Sequence, residues 1–400
     1  MFTSEEEIIQ AENRYTANVY SRRSVVAARG KDALLWDVNN KEYIDCMAGY
    51  GAAFIGHSNP RVISAIKKQA EKLQACHGSL YNDTRAQFLK KITAVTPHGL
   101  DKVFLSNSGA ESVELAIKLA RKFTGRKGII ATMRGFHGKT MGALSATWNA
   151  KYRTPFQPLL PEVKFVPYGK TEKVKEAITT DTAAILIEPI QGEGGVHIPP
   201  DGYLQSLREL ADGKNLLLLL DEVQTGFGRT GKLFACEHWG VTPDILCLAK
   251  AAASGIPIGI TAAREDIMGT LRVGEHTTTF GGNPISCAAA SATLDVLVEG
   301  RLWEKAAELG RQFINLLQKL SEEHNTVREV RGLGLMIGMD LRFEIRNIIE
   351  CMLTRGVILL STGLHTLRFL PPVTITQPQI ETVVNRLREC LADEEKRKNQ

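Results

Sequence analysis

The chain has 400 residues, 44% of them hydrophobic and 23% charged, the ordinary composition of a folded globular protein. This excludes a disordered chain, a collagen-like repeat and a membrane bundle, because the longest apolar runs, such as Leu216 to Leu220, are far short of the roughly 20 residues that a spanning helix needs. The 49 Lys and Arg against 44 Asp and Glu leave a formal charge of +5; no basic block is visible, so nucleic acid is not expected, while an acidic partner is permitted.

Length at about 150 residues per domain predicts two to three domains. The seven cysteines, Cys46, Cys76, Cys236, Cys247, Cys287, Cys351 and Cys390, stand singly with no C-x-x-C spacing. They read as reduced, mostly buried thiols of a cytoplasmic protein, with no disulfide framework and no metal site. The start, Met1 to Glu7, is acidic and lacks the apolar stretch of a signal peptide.

In chain order, the first pattern is hairpin-like: Leu34 to Val38 and Glu42 to Asp45, joined by Asn39-Asn40-Lys41. Residues 1–50 are expected to pack against a small C-terminal domain. Between about residues 100 and 265, short apolar runs alternate with helical patterns. Lys102 to Ser106, Gly128 to Thr132, Val163 to Pro167, Ala183 to Glu188, Asn215 to Asp221 and Asp244 to Leu248 read as strands. Their near-continuous Val, Ile and Leu suit strands covered on both faces. Helical stretches, Ser112 to Phe123 and Pro200 to Asp212 among them, lie between. The rhythm predicts an α/β domain, residues 51–290, with a mostly parallel sheet.

The last hundred residues change character. Two long helices, Pro284 to Val298 and Leu302 to Glu323, precede short strands at Val327 to Val330, Leu335 to Leu341, Val357 to Leu360 and Leu367 to Phe369. A final helix is expected from about Gln377 to Leu391, and the polar tail from Asp393 should fray. This predicts a small α+β domain over residues 291–400.

Chemistry-bearing residues fall at the strand ends, where open α/β sheets bind ligands. After Ser106 comes Asn107-Ser108-Gly109-Ala110-Glu111 opening a helix; free N–H groups and the helix dipole there suit a phosphate, although an ordinary helix cap explains the same residues. Leu216 to Leu220 run into Asp221-Glu222, a costly place for acids unless they meet a cation, although an acid capping the next element is the plainer reading of that segment alone. Lys250 follows an apolar strand and precedes three alanines, so desolvation should lower its pKa and favour the free amine; a surface lysine is the plainer reading of that residue alone. Together the three match pyridoxal phosphate: a lysine to carry it, an acid for its ring nitrogen, a helix start for its phosphate.

The ordered motifs Asn107 to Glu111, Gly135-Phe136-His137-Gly138, Glu188-Pro189-Ile190-Gln191-Gly192-Glu193-Gly194-Gly195, Asp221 to Gly231, Pro243 to Lys250 and Thr278 to Pro284 resemble the class III (subgroup II) aminotransferases along essentially the whole chain. The resemblance implies the pyridoxal-phosphate transferase fold of type I, an α/β large domain with a small α+β domain, and pyridoxal 5′-phosphate as cofactor. It gives Lys250 the covalent attachment and the proton transfers, and Asp221 the ring nitrogen. Gln224 would reach the phenolic oxygen, Phe136 and Val223 would sandwich the ring, and Ser108, Gly109 and Ala110 would hold the phosphate. Thr279 would reach the phosphate of a neighbouring subunit in a homodimer, which could pair into a tetramer. For substrate, it implies Tyr20, Tyr50, Lys139, Glu193, Thr278 and Arg368. Glu193 and Arg368 would form a switch: paired for an ω-amino substrate, parted so that Arg368 binds the α-carboxylate of glutamate.

Within the family the sequence is similar to the acetylornithine and ornithine aminotransferases, and most to the lysine-pathway enzyme whose substrate rides on a small acidic carrier protein of LysW type. One departure stands out. Lys139 follows Phe-His-Gly where those enzymes usually carry Arg, and a point charge replaces a bidentate fork. Putrescine-type aminotransferases share Phe-His-Gly-Lys and His276-Thr277-Thr278-Thr279-Phe280. The expected activity is transfer between glutamate/2-oxoglutarate and the terminal aldehyde of an N-blocked semialdehyde. A putrescine or 4-aminobutyrate type, a decarboxylase or aminomutase on the same fold, and a non-catalytic binding protein are the alternatives.

Overall fold

The computed structural model describes residues 4–399; Met1–Thr3, part of the acidic start, and Gln400 lie outside them. Among the described residues no helix is long and apolar enough to cross a membrane. After a short helix, Glu5–Tyr15, come β1 (Ala27–Lys31), β2 (Leu34–Asp37) and β3 (Glu42–Asp45), paired antiparallel. The expected hairpin is β2–β3; β1 is an added strand that its polar sequence, Ala-Ala-Arg-Gly-Lys, did not announce.

The central sheet holds seven strands: β4 (Lys102–Ser106), β5 (Gly128–Thr132), β6 (Val163–Val166), β7 (Thr182–Ile187), β8 (Leu217–Asp221), β9 (Ile245–Leu248) and β10 (Gly259–Ala263). Their order is β4-β10-β9-β8-β7-β5-β6. All neighbours run parallel except β10, which is antiparallel to both β4 and β9. Side chains alternate across a strand, so a continuous leucine run feeds two cores. Leu218 and Leu220 join Leu246, Leu248 and Ile260 on one face. Leu217 and Leu219 join Ile245, Ala263 and the helix Gly109–Thr124 on the other. Each leucine so buried contributes about 1.5–3 kcal/mol.

The C-terminal unit follows two long helices, Pro284–Glu299 and Leu302–Glu323. It contains β11 (Val327–Leu333), β12 (Met336–Leu341), β13 (Val357–Ile358), β14 (Leu360–Thr362) and β15 (Thr366–Phe369). β11-β12-β15-β14 form an antiparallel sheet, whereas β13 leaves it and pairs parallel with β3 of the N-terminal hairpin. A fully buried arginine ties these parts together. Arg229 donates to the carbonyls of Leu335 and Pro371 (3.1 and 2.5 Å) and of Gly51 (3.3 Å), and burial pushes its pKa down to about 9.

Two expectations fail. Cys351 and Cys390 are joined by a disulfide because the helices Arg346–Thr354 and Gln377–Asn399 pack together and face them across the contact. The other five cysteines are free, and four are buried. The tail does not fray: the last helix continues to Asn399, with Glu394 buried beneath Asn347 and Arg397 and Glu395 accepting from Thr326.

Candidate active site

The parallel strands end along one edge of the sheet, and the residues just past their ends line a cavity of about 340 Å³, within the usual size of small-molecule sites. The segment after β4 supplies Ser108, Gly109 and Ala110; the loop after β5 supplies Phe136 and His137. Glu188 and Glu193 follow β7, Asp221 ends β8 with Val223 and Gln224 just after it, and Lys250 follows β9.

Ser108 caps the helix Gly109–Thr124, its hydroxyl accepting from the Glu111 N–H at 3.2 Å. The first-turn N–H groups have no intrahelical partner and open onto the cavity. Gly109 is required there: a Cβ would stand 2.6 Å from Val223 Cγ1. Asp221 is 4% exposed. One oxygen accepts from the Val223 N–H (3.0 Å) and the other meets His137 Nδ1 (2.8 Å). Burial acts to lower the His137 pKa, but the hydrogen bond and charge of Asp221, with Glu188 nearby, leave it raised. His137 Nε2 is buried without a partner.

Lys250 begins a single 3-10 turn with φ 41°, left-handed backbone that is strained for a non-glycine residue. Some of its surface remains open to the cavity. Desolvation holds its pKa below the ordinary lysine value, with Arg368 adding to this and Glu193, Asp221 and Glu188 opposing it. Glu188 is buried, pushed up to about 7 by desolvation first and by Asp221. Its two oxygens accept from the Phe136 and Gly192 N–H groups, both at 2.9 Å, and so tie two cavity loops together.

Arg368, in β15, is fully buried. Its Nη1 pairs with Glu193 Oε1 at 2.6 Å and donates to Gln224 Oε1 at 3.2 Å. Its Nε and Nη2 have no partner. Burial raises the Glu193 pKa, but Arg368 and Lys250 outweigh it and leave it lowered.

The fit to pyridoxal phosphate can be judged from these groups. A glycine-walled helix start suits the phosphate, a buried carboxylate braced by an imidazole suits a protonated ring nitrogen, and a desolvated lysine suits covalent attachment. The residues present therefore fit the group. No cluster of His, Cys, Asp and Glu able to hold a metal is found among the described residues.

The family profile described as "Aminotransferase class-III" matches residues 15–391. The chain belongs to the class-III aminotransferase family. Among curated class-III relatives, it is 45% identical to the acetylornithine aminotransferase of Methanocaldococcus jannaschii, over 98% of this chain and 99% of that one. It is also 45% identical to the [LysW]-aminoadipate semialdehyde transaminase of Deinococcus radiodurans, over 94% and 88%. Among solved structures, an ornithine aminotransferase from Toxoplasma gondii, described as showing partial occupancy of PLP at its active site, superimposes with a TM-score of 0.95 at 33% identity, over 99% of this chain and 96% of that one.

The other residues expected to act in this aminotransferase lie around or beyond the cavity. Tyr50, left-handed at φ 58° and half exposed, has its ring 5.8 Å from the Arg368 guanidinium. Lys139 is exposed, its ammonium 4.6 Å over the Tyr152 ring, which meets Phe136 edge-on. The Thr278 hydroxyl accepts from Asn107 Nδ2 at 3.1 Å. Thr279 and Tyr20 are exposed and do not line the cavity. Two residues of the constellation had been left without a role, His137 and Glu188. Both lie inside the ordered motifs: His137 stands between Gly135 and Gly138, and Glu188 closes the apolar run of β7.

Proposed function

We propose that the chain is a pyridoxal 5′-phosphate-dependent ω-aminotransferase. It moves an amino group between glutamate/2-oxoglutarate and the terminal aldehyde of an amino-acid semialdehyde whose α-amino group is blocked, of the N-acetylornithine or carrier-linked aminoadipate type. The observation that carries this reading is Arg368: a buried guanidinium neutralised on one nitrogen by Glu193, with two further donor nitrogens unpartnered. Unpaired buried donors are costly, and a substrate carboxylate would satisfy them. A site that must take both an α-carboxylate and an uncharged ω-carbon needs such a removable counter-charge.

When bound, the cofactor withdraws electrons from the substrate carbon and carries the amino group between the two substrates. Lys250 would supply the attaching amine and would hold or move the proton at the substrate carbon that bears the amino group. Desolvation lowers its pKa and so favours the neutral amine for this. Asp221, braced by His137, holds negative charge at the ring nitrogen. Ser108, Gly109 and Ala110 would hold the phosphate, Phe136 and Val223 would confine the ring, and Gln224 would reach its phenolic oxygen. Thr279 completes the phosphate site of a partner subunit in a homodimer. Tyr50, Lys139 and Thr278 are the proposed substrate contacts, together with Tyr20, although Tyr20 does not line the cavity of the single chain. Residues 1–50 and 291–400 form the small domain around the cofactor domain 51–290, with β3–β13 pairing in support.

The names of the relatives support a place in lysine or arginine biosynthesis, and with it a cytoplasmic location and, for the lysine branch, an acidic carrier protein as partner. A diamine or 4-aminobutyrate substrate is the second reading, favoured by Lys139, whose charge rests on the Tyr152 ring. A substrate panel decides. Acetylornithine, ornithine, putrescine, 4-aminobutyrate and a carrier-linked lysine are each compared with 2-oxoglutarate, in wild type and Lys139→Arg. The N-blocked reading expects carboxylate-bearing substrates to lead and to tighten in the variant. A preference for putrescine with no effect of Arg would replace it. If glutamate and every terminal amine leave the absorbance of the bound cofactor unchanged, the aminotransferase reading itself fails; release of carbon dioxide would favour a decarboxylase.

A further inference from the structure

The Glu193–Arg368 switch requires that a carboxylate leave a buried guanidinium and return to it. The loop that carries Glu193 is, however, held on every side. Its base is closed by a two-way backbone bridge between Gln191 and His197 (3.0 and 3.1 Å). Its far side is gripped from the C-terminal unit. Thr362, in β14, donates its hydroxyl to the carbonyl of Glu193 at 3.0 Å. Arg331, in β11, donates from Nε to the carbonyls of Gly195 (2.9 Å) and Val196 (3.1 Å), and from Nη2 to Gly195 (2.5 Å). Asp340 in β12 holds that guanidinium in a fork, both contacts at 2.9 Å, and itself accepts from Thr366.

The gripped backbone is strained. Val196 has φ 55°, an outlier for a β-branched residue, and it is fully buried. Such conformations persist only where the surroundings over-determine them. The bonds from Thr362 and Arg331 contribute to this, beside the Gln191–His197 bridge and the buried cluster of Val196 with Met336, Leu360 and Leu370.

We infer that Thr362 and the Arg331–Asp340 pair are positioning residues for substrate alternation: by fixing the main chain at Glu193–Val196, they favour the state in which Glu193 neutralises Arg368. This rests on the alternation reading above. The switch is then a side-chain rotation on a fixed backbone. Its set point, and so the discrimination between a dicarboxylate and an ω-amine, is governed from β11, β12 and β14 and not by the cavity lining alone. Release of the grip lets the loop relax, unpairs Arg368 more often, and tightens dicarboxylates at the expense of ω-amines.

The test uses the holoenzyme and glutarate, a dicarboxylate without an amino group, with its dissociation constant read by calorimetry. Thr362→Val should tighten glutarate about 3- to 10-fold, the scale of one neutral hydrogen bond. It should raise KM for the ω-amine substrate while kcat holds. Thr362→Ser, which keeps the hydroxyl, should restore wild-type values. Asp340→Asn is a second route to the same direction should the valine variant fold poorly. In a Glu193→Ala background the Thr362→Val effect should vanish, since pairs acting through one group are not additive. Unchanged glutarate affinity in both Thr362→Val and Asp340→Asn overturns the inference, as does a Thr362→Val effect that persists without Glu193. If Glu193→Ala alone leaves glutarate affinity unchanged, the alternation reading falls first, and the grip with it.

Discussion

Lys250, Asp221 and Arg368 are expensive residues to place where they are, and each is tolerated only because its neighbours offset its charge. Lys250 faces Glu193 and Asp221, Asp221 leans on His137, and Arg368 is half satisfied by Glu193 and Gln224. Replacing Lys250 with Ala should lower turnover by at least about 10²- to 10⁴-fold, the scale of a lost proton-transfer group, and should abolish the absorbance of covalently held cofactor; both are read in one stopped-flow experiment with glutamate. Glu222 is buried under the Ala235 and Cys236 N–H groups, and desolvation pushes its pKa up to about 7 from 4.5. A raised carboxylate binds its proton more tightly when folded. Its contribution is therefore full below about pH 4.5 and lost as pH rises through 7, on the order of 3 kcal/mol. Urea unfolding between pH 5 and 8 should show a shallower loss of stability in Glu222→Gln than in wild type. Lys250 and Asp221 were legible in the sequence because each closes an apolar run. The brace on Asp221 was not, since His137 and Asp221 are 84 residues apart and only the sheet order brings them together.

At the scale of elements, most strands could be read because their apolar runs are continuous. β10 could not. Its sequence, Gly-Ile-Thr-Ala-Ala, follows Gly255-Ile256-Pro257-Ile258, and glycine and proline there read as a loop. Yet it is the one strand that links β4 to β9, and so the Ser108–Ala110 segment to Lys250. Ser112 and Thr261 tie it to the helix Gly109–Thr124 through bonds to the Ile260 and Ser112 carbonyls (2.7 and 3.1 Å). Gly259 starts β10 beside the helix cap, and a Cβ there would lie 2.2 Å from the Ser108 carbonyl oxygen, backbone that cannot step aside. If Ser108, Gly109 and Ala110 hold the cofactor phosphate as proposed, Gly259→Ala should weaken cofactor binding by about tenfold or more, since displacing them removes charge-assisted bonds. Fluorescence titration of the apo form with pyridoxal phosphate would show it; unchanged affinity would mean that this segment is more compliant than its packing implies.

For the whole molecule, the sequence placed seven cysteines apart, and nothing in their spacing paired any two. The pairing arises because two helices of the C-terminal unit align Cys351 with Cys390, closing a loop of sequence separation 39. Cross-linking a loop of that size restricts the unfolded chain by about 4 kcal/mol. Cys351→Ser should lower the unfolding midpoint of that unit while leaving kcat/KM for any good substrate within about twofold, because the pair lies away from the cavity. The charge of +5 bears on partners at the same scale. If the substrate arrives on an acidic carrier, kcat/KM for the carrier-linked form should fall as salt rises from 50 to about 500 mM, as screening shortens the reach of steering. The value for free acetylornithine should change far less. Equal salt dependence would argue against a carrier.

The pairing of β3 with β13 has a consequence for biosynthesis of the chain itself. Ile44 and Asp45 find Val357 and Ile358 only after roughly three hundred further residues have left the ribosome, about 15–60 s at ordinary elongation rates. Throughout that interval the β2–β3 hairpin has a bare strand edge, the kind of surface that recruits wrong partners. Nascent chains arrested before residue 357 should therefore be bound by chaperones more strongly than chains arrested after it.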